Sequence, residues 1–252
     1  MNIPIGLQLF SLREDAARDF IGVLNEVAKM GYAGVEFAGY HGVSAPELKK
    51  VLNDLGLTPI GSHISYKELD ENLSEMIEYN LEIGSPYLVC PSAPRYLLEN
   101  ATADDWKSFA AKMSDIGAEA KKHGLKLAYH CHTLEFEIFD GEYALDIFYD
   151  NVDPDNVTAE MDAGWIFHAG IDPVEYLKKY KGRCPLLHVK DFKKDGEQTE
   201  VGTGDIDLAG IVGVAKDVGV TWYVIETERY NMAPIDSVRV GLENLKAVIE
   251  KA

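Results

Sequence analysis

The sequence predicts an α/β protein built as a single (β/α)8 barrel. Short apolar segments alternate with longer amphipathic segments along the chain, and this alternation occurs eight times. Eight units of roughly thirty residues each match the size at which a parallel sheet closes into a barrel. An open doubly wound sheet is the alternative, but the segment GLQLFSLRED lacks the second and third glycines that its first turn would need. We therefore expect one domain over residues 1–252.

Each predicted strand is a short apolar run, and the segments between the strands show helical spacing of apolar residues. The strands are Ile3–Phe10, Gly34–Ala38, Pro59–Ile64, Tyr87–Pro91, Leu125–Cys131, Val157–Met161, Pro185–Val189 and Trp222–Glu226. The helices are Arg18–Met30, Ala45–Leu55, Lys67–Ile83, Ala103–His123, Gly141–Tyr149, Pro173–Lys179, Leu208–Val218 and Ile235–Lys251. Several helices begin at a capping residue, such as Ser44, Thr102 or Asp207, and several end at a glycine, such as Gly31 or Gly56.

The charge of the chain argues against polyanionic partners. Asp and Glu outnumber Lys and Arg by 42 to 24, which gives a net charge of −18. Such a protein repels phosphate backbones and anionic lipids, so we expect neither nucleic acid nor a membrane as a partner. Three widely spaced cysteines (Cys90, Cys131 and Cys184) and an opening segment without a long apolar run predict a reduced, cytoplasmic protein.

Polar side chains occur where the apolar strands end. In a barrel these ends converge on one mouth, where active sites of this architecture lie. The residues are Gln8, Glu36, His63, His130, His132, Glu160, Asp162, His188, Lys190, Glu226 and Glu228. The fifth to eighth strands supply oxygen and nitrogen donors from four directions, so Asp162, His188 and Glu226 are predicted metal ligands. For Gln8, Glu36 and Glu160, contact with substrate and a hydrogen-bonded position at the rim stay equally open.

Eight motifs, in order, extend from Ile5 to about Lys246. They are GLQLFSLRED, YAGVEFAGY, GSHIS, AYHCHTLEFE, AEMDAGW, LLHVKD, VGTGDID and VIETE. Together they resemble the xylose-isomerase-like TIM barrels that are grouped as sugar phosphate isomerases and epimerases. The resemblance implies one divalent cation at the barrel mouth, most often manganese or magnesium and sometimes cobalt or zinc. It also implies that Asp162, His188 and Glu226 are three of its ligands.

The fifth strand departs from the tagatose-epimerase type of pattern, in which this strand ends in a glutamate that binds metal and moves a proton. The corresponding residue here is His130. Because side chains alternate along a strand, His130 and His132 point to one side and Cys131 to the other. Glu135, on the following loop, can fold back over the site. Either His130 or Glu135 could complete the metal site, and the chain has no second Cys/His pair at zinc-finger spacing.

Endonuclease IV belongs to the same superfamily, but its pattern does not fit this chain. It places a histidine three residues after the sixth-strand aspartate, where this sequence has Trp165. Its Asp-x-His pair ahead of a Gly-x-Gly turn is also missing from the segment DGEQTEVGTG. Together with the net charge of −18, these differences argue against nuclease activity.

The resemblance implies an isomerase or epimerase of a ketose-like sugar that forms a metal-stabilised enediolate. Glu226 is the first candidate for proton transfer, together with His130 or Glu135. Lys190 lies either near the developing oxyanion or in an ion pair with Asp162, and the two interpretations are equally open. Substrate contacts are predicted for His63, His132, Glu36, Gln8 and Trp165. For His63, a packed and hydrogen-bonded position is the alternative.

Two other functions stay open. A lyase could dehydrate a keto-inositol or cleave a 3-keto-glycoside, because the same enediolate can expel a leaving group and an imidazole can protonate a leaving oxygen. A non-catalytic sugar-binding subunit is the second alternative, since a fold does not establish an activity. The resemblance also implies a homodimer or homotetramer.

The segment VGTGDID allows two interpretations. Its two glycines free the backbone to approach a phosphate group. Alternatively, the segment is a turn that caps the seventh helix at Asp207. Arg13 is the best-placed cation near the end of the first strand, and little else basic surrounds the mouth. We therefore expect a substrate without phosphate.

Overall fold

Eight parallel strands close into a barrel in the computed structural model, which describes residues 3–97 and 100–251. The strands are β1 (Ile5–Gln8), β2 (Gly34–Phe37), β3 (Thr58–His63), β4 (Tyr87–Cys90), β5 (Lys126–His130), β6 (Val157–Asp162), β7 (Leu186–Val189) and β8 (Trp222–Ile225). Each strand pairs with the next one along the chain, and β8 pairs with β1 to close the sheet. The predicted (β/α)8 barrel is confirmed.

Helices follow the barrel strands and connect them. They are α1 (Arg13–Met30), α2 (Ala45–Leu55), α3 (Tyr66–Glu71), α4 (Leu73–Ile83), α5 (Ala103–Lys122), α6 (Ala144–Asn151), α7 (Ala163–His168), α8 (Pro173–Leu177), α9 (Leu208–Val218) and α10 (Pro234–Lys251). Two small hairpins extend from the connections after β5 and β7. They pair Ile138–Phe139 with Glu142–Tyr143, and Asp191–Phe192 with Gln198–Thr199.

Two of the differences between the observed and the predicted helices are breaks in the backbone. The first helix begins at Arg13 rather than at Arg18, and it contains one non-helical residue, Asp19, with φ −152° and ψ 82°. The segment 67–83, predicted as one helix, is two helices, because Asn72 between them has φ −129° and ψ 27°. Both differences are local breaks in backbone geometry, which the spacing of apolar residues does not record.

Helix ends otherwise follow the predicted signals. Thr102 and Asp105 form a reciprocal capping box at the start of α5. Ser44 begins α2 without a side-chain hydrogen bond. Gly31 and Gly56 end α1 and α2 with φ of 88° and 67°, a region of backbone space that glycine enters without a steric penalty.

An apolar layer fills the barrel interior below the mouth. It consists of Ile60, Tyr87, Val89, Ala128, Leu186 and Val224, and it is separate from the larger cluster that joins strands to helices. Because strand side chains alternate, residues two positions beyond Ala128, Leu186 and Val224 face the same interior. Those residues are His130, His188 and Glu226. The pleat of the strands therefore places three predicted site residues directly above an apolar floor.

The three cysteines form no disulfide. Cys90, Cys131 and Cys184 are buried and free. Burial raises the pKa of Cys90 and of Cys184 to about 12, so both thiols are protonated and unreactive at neutral pH. Within residues 3–97 and 100–251, no helix combines the length and the apolar character needed to cross a bilayer.

Two glycine substitutions should change the stability of the barrel in opposite directions. A Cβ atom at Gly34 would lie 2.5 Å from the carbonyl oxygen of Thr58, so we expect Gly34→Ala to lower the free energy of unfolding by about 1–3 kcal/mol. Gly213 lies inside α9 with nothing within 4 Å of an added Cβ, so Gly213→Ala should raise it by up to about 1 kcal/mol. Urea unfolding curves of both variants test this, and a Gly34→Ala variant as stable as the unchanged protein would contradict it.

Candidate active site and metal centre

Side chains from six of the eight strands, and from the residue that follows another, meet at the C-terminal end of the barrel. They come from β1, β2, β3, β5, β6, β7 and from the residue that follows β8. The residues are Gln8, Glu36, His63, His130, Glu160, Asp162, His188 and Glu226. All except His63 are buried. These residues form two layers, described in turn below, and in the upper layer His188 contacts both carboxylates of the lower one and His130 contacts one of them.

The upper layer, called here the mouth cluster, consists of His130, Asp162, His188 and Glu226. One ligand atom from each residue lies within 4.8 Å of the others. The Nδ1 atom of His188 is 3.0 Å from Glu226 Oε2 and 3.8 Å from Asp162 Oδ2. The Nε2 atom of His130 is 3.8 Å from Asp162 Oδ2. The four donor atoms therefore surround one small volume at the barrel axis.

The donor set of the mouth cluster fits a divalent cation. Two carboxylate oxygens and two imidazole nitrogens are ligands that manganese, cobalt and zinc accept. Asp162 is held by its other oxygen, Oδ1, which accepts hydrogen bonds from the amides of Gly164 and Trp165 at 2.8 and 3.0 Å. Its Oδ2 atom is buried and accepts no hydrogen bond of acceptable geometry, although Lys190 Nζ is 3.0 Å away. A buried oxygen left in this state is suited to a cation.

The same two amides explain α7, which has no counterpart in the sequence prediction. Asp162 ends β6 and is also the N-cap of this short helix. Gly164 is required in its first turn, because a Cβ there would lie 2.4 Å from the Cβ of Lys190. The helix thus orients Asp162 and leaves room for Lys190.

The lower layer, called here the lower carboxylate pair, consists of Glu36 and Glu160, both fully buried. Glu160 Oε1 lies 2.8 Å from His63 Nε2, 2.9 Å from His130 Nδ1 and 3.1 Å from His188 Nε2. Glu36 Oε2 lies 2.7 Å from His188 Nε2 and accepts a hydrogen bond from Gln8 Nε2 at 2.9 Å. Since neither carboxylate nor Gln8 lines a cavity at the mouth, this placement favours the hydrogen-bonded interpretation over substrate contact for all three.

His63 lies at the edge of the lower carboxylate pair and lines the mouth cavity. Its Nε2 atom is 2.8 Å from Glu160 and 3.2 Å from Glu36. Burial alone would lower the pKa of His63, but the two carboxylates outweigh this effect and raise the pKa to about 10. The side chain is 11% exposed, so both interpretations left open by the sequence, packing and substrate contact, are compatible with its position.

Lys190 is fully buried beside the mouth cluster. Its ammonium nitrogen lies 2.8 Å from Glu226 Oε2 and 2.6 Å from Glu228 Oε1, and it is 4.8 Å from the centre of the Trp165 ring. Burial alone would lower the pKa of Lys190, but these carboxylates, with Asp162, raise it above its ordinary value. Burial would raise the pKa of Glu226, but Lys190 and His188 lower it well below its ordinary range. Both groups are therefore charged at neutral pH.

A cavity of about 420 Å³ opens above the mouth cluster. It is lined by Phe10, Ala38, His63, Pro91, Ser92, His130, His132, Glu226 and Glu228. A larger cavity of about 830 Å³ lies among residues 167–175 and 193–207, and none of the mouth cluster lines it. The smaller cavity is the candidate substrate site, because it alone of the two contacts the candidate metal ligands and their neighbours.

His132 faces this cavity with free ring nitrogens. Its ring lies 4.8 Å from that of His130 and 5.6 Å from that of Trp165, and among the described residues no hydrogen bond reaches its imidazole. Burial lowers the pKa of His132 to about 3, and Lys190 contributes in the same direction. Trp165 does not line the cavity; its indole nitrogen is buried and has no hydrogen-bond partner.

Glu135 has a different position from His130. Its Oε1 atom accepts a hydrogen bond from the Tyr129 hydroxyl at 2.6 Å, and its Oε2 atom accepts one from the His132 amide at 2.8 Å. Both oxygens are thus used to hold the loop after β5. The groups of donor atoms close enough to bind an ion include His130 and do not include Glu135. Of the two alternatives for the fourth ligand, the geometry supports His130.

The segment VGTGDID is occupied by a carboxylate of the protein itself. Asp191 Oδ2 accepts hydrogen bonds from the amides of Gly202 and Gly204, both at 2.9 Å, and Asp191 Oδ1 accepts one from Ile206. Asp207 caps α9 through the amide of Gly210 at 2.9 Å. The structure therefore supports the interpretation of this segment as a helix-capping turn rather than as a phosphate-binding loop. Sequence reasoning missed Asp191, although it directly follows Lys190 in the motif LLHVKD.

Arg13 is not a free cation for a substrate. Its guanidinium donates hydrogen bonds to the Tyr230 hydroxyl at 2.8 Å and to the carbonyl oxygens of Glu228 and Phe10 at 3.1 Å each. It therefore joins the loop after β1 to the loop after β8. Phe10, which was counted only as the end of a predicted strand, lies at the cavity wall with 39% of its surface exposed.

Comparisons with known proteins agree with this geometry. A family model described as xylose isomerase-like TIM barrel matches residues 24–248. An inosose dehydratase of Clostridium perfringens is 23% identical and covers 99% of this chain and 98% of its own. A crystal structure of a sugar phosphate isomerase/epimerase from Parabacteroides distasonis is 26% identical, with a TM-score of 0.83 and coverage of 98% and 95%. A zinc-bound IolI protein is 17% identical, with a TM-score of 0.78 and coverage of 98% of both chains, and shows the same fold.

Replacement of Asp191 should destabilise the loop without creating a phosphate site. The variant Asp191→Asn offers only one acceptor oxygen in place of two, so at least two of the four backbone amides that Asp191 holds lose this acceptor. We expect the free energy of unfolding to fall by about 1–3 kcal/mol. In the unchanged protein, millimolar inorganic phosphate should leave the midpoint of thermal unfolding unchanged. A clear upward shift that Asp191→Asn alters would instead support the phosphate-loop interpretation.

Proposed function

Because the chain belongs to the xylose isomerase-like TIM barrel family, we propose that it is a divalent-metal-dependent lyase acting on a keto-inositol or a 3-keto-glycoside. The observation that carries this proposal is His130 at the end of β5, where an epimerase would use a glutamate. Isomerisation or epimerisation of a ketose-like sugar is the second candidate, and the likeness to the Parabacteroides distasonis protein favours it. The inosose dehydratases among the relatives favour the lyase.

The proposed metal ligands are His130, Asp162, His188 and Glu226. A cation bound there would polarise the substrate carbonyl and stabilise the negative charge that develops on its oxygen when the neighbouring C–H bond is broken. The two imidazole nitrogens among the donors favour manganese, cobalt or zinc over magnesium, which prefers oxygen ligands.

Three side chains, one of them also a proposed metal ligand, have proposed roles in proton transfer and charge stabilisation. We assign proton removal to Glu226, which follows β8, lines the cavity and is ionised. The ammonium group of Lys190, 2.8 Å from Glu226, lies where it can stabilise an oxyanion. His132 faces the cavity with free ring nitrogens, and we assign it the hydrogen bond to the leaving oxygen.

The lyase needs fewer proton carriers than the epimerase. Elimination requires one group that removes a proton and one that assists the leaving oxygen. Epimerisation through two opposite faces requires a second base, and His130 is the residue in that position. Its Nδ1 atom is 2.9 Å from Glu160 and its Nε2 atom belongs to the mouth cluster, so both ring nitrogens are already used. This difference supports the lyase as the first candidate.

Mass spectrometry of the products should distinguish the two candidates. The metal-loaded protein is incubated separately with keto-inositols, 3-keto-glycosides and ketoses. We expect a product that has lost water from a keto-inositol, or the aglycone from a 3-keto-glycoside, because elimination removes a leaving group. A ketose or keto-inositol converted to a stereoisomer of unchanged mass would overturn the lyase assignment in favour of the epimerase. Protein pretreated with a chelator is the control and should be inactive until a divalent metal is restored.

Substitution of Glu226 should affect both metal binding and turnover. Glu226→Gln keeps the size of the side chain but removes the charge that attracts the cation and the basicity that accepts the proton. We expect a folded protein with less bound metal by elemental analysis and a loss of rate of at least about a hundredfold.

Glu228→Gln is the comparison variant for this experiment. Its side chain is 26% exposed and contacts Lys190, but it is outside the mouth cluster, so the loss of rate should be smaller. Near-normal turnover and metal content in Glu226→Gln would show that Glu226 is neither a ligand nor the base.

A further inference from the structure

We propose that Glu36 and Glu160 are positioning residues, which hold the imidazoles of His188 and His130 from below so that the opposite ring nitrogens face the cation. This inference rests on the proposed metal centre. It assigns a role to the lower carboxylate pair, which makes no contact with the mouth cavity and is therefore not part of the substrate site.

Both histidines divide their nitrogens between the two layers in the same way. His130 directs Nδ1 to Glu160 at 2.9 Å and Nε2 towards Asp162 at 3.8 Å. His188 directs Nε2 to Glu36 at 2.7 Å and Nδ1 to Glu226 at 3.0 Å. Each ring therefore stands between one carboxylate of the lower pair and one of the mouth cluster.

The lower carboxylate pair fixes which nitrogen carries the proton. A neutral imidazole has one N–H group and one lone pair, and a carboxylate oxygen only accepts hydrogen bonds. With a cation at the mouth cluster, His130 Nε2 and His188 Nδ1 would give it their lone pairs, and the N–H groups would then face Glu160 and Glu36. Metal-binding histidines are commonly oriented by a carboxylate in this way.

The burial of the pair has a cost that fold stability alone does not explain. Glu36 and Glu160 are both fully buried, and Glu36 Oε1 and Glu160 Oε2 have no hydrogen-bond partner. Buried ionised groups are expensive, and an apolar replacement of similar size often gives a protein at least as stable. Gly61 makes room for one of them, because a Cβ at this position would lie 2.9 Å from Glu36 Oε1. Orientation of the two candidate metal ligands above them, His130 and His188, accounts for the presence of these two carboxylates.

A second metal ion in the lower layer is the competing explanation. Ligand atoms of His63, His130, Glu160 and His188 also lie within 4.8 Å of one another. Such an ion would need lone pairs on His130 Nδ1 and His188 Nε2, the atoms that donate protons in the positioning arrangement. One histidine nitrogen cannot carry a proton and bind an ion at once, so the two explanations exclude each other.

The experiment measures metal affinity and histidine tautomers in the full-length protein and in Glu160→Gln, Glu36→Gln and Glu228→Gln. Zinc affinity is measured by competition with a chromophoric chelator, and the protonated ring nitrogens are identified in long-range proton–nitrogen NMR spectra of the zinc-loaded proteins. Glu228→Gln is the charge-matched control, because it removes one carboxylate near Lys190 without contacting either histidine. Circular dichroism checks that each variant folds, and Glu36→Gln provides an independent test should Glu160→Gln fail to fold.

We expect Glu160→Gln to weaken zinc binding by about 10- to 100-fold and to disturb the tautomer of His130. Glu36→Gln should disturb His188 and leave His130 unchanged, and Glu228→Gln should leave both tautomers unchanged. Zinc bound equally well by the unchanged protein and by both lower-pair variants, with unaltered tautomers, would overturn this inference and leave the proposed function intact. Two ions per unchanged chain would overturn it in favour of the second metal site. An unchanged protein that binds no divalent ion would overturn the proposed function and this inference with it.

Discussion

The alternation of side chains along parallel strands is the constraint on which the site depends. Ala128, Leu186 and Val224 belong to the apolar layer inside the barrel, and the next residue on the same face of each strand is polar. The change from an apolar to a polar side chain within two residues divides the interior into a floor and a mouth. A register shift of one residue would turn His130 and His188 towards the helices and remove the site altogether.

The mouth also has an imbalance of buried charge. Four buried carboxyl groups lie close together there, and they belong to Glu36, Glu160, Asp162 and Glu226. The buried ammonium group beside them is that of Lys190. His188 and His63 respond to this imbalance: burial would lower the pKa of both, but the surrounding carboxylates raise it, for His188 well above its ordinary value. A divalent cation would balance the same charges without protonated imidazoles, which is why the donor set and the electrostatics support the same conclusion.

Much of the fold and part of the candidate site could be predicted from the sequence, because both depend on local patterns. Apolar runs mark the strands, and the first polar residues after those runs mark the mouth, as for His188 and Glu226. Features that depend on which side chain a loop contacts were not predictable in this way. Glu135 is held by the Tyr129 hydroxyl, and the glycine loop is held by Asp191, so the sequence alone left two interpretations open for each. The sequence also does not show that each histidine directs one ring nitrogen to the lower carboxylate pair and the other to the mouth cluster, because the spacing of residues along the chain does not determine these interatomic distances.

The loops on one side of the mouth are joined to each other by hydrogen bonds. Arg13 connects the loop after β1 to the loop after β8, and the side-chain oxygen of Gln198 accepts hydrogen bonds from the amides of Glu228 and Arg229 at 3.1 and 2.8 Å. Barrels of this architecture acquire new substrates by varying their loops while the strands stay unchanged. In this protein the loop after β8 is hydrogen-bonded to the loop after β1 and to the loop after β7. Exchange of any one of the three loops would therefore leave hydrogen-bonding groups of another loop without their partners. In evolution or engineering, we expect these three loops to change together rather than independently.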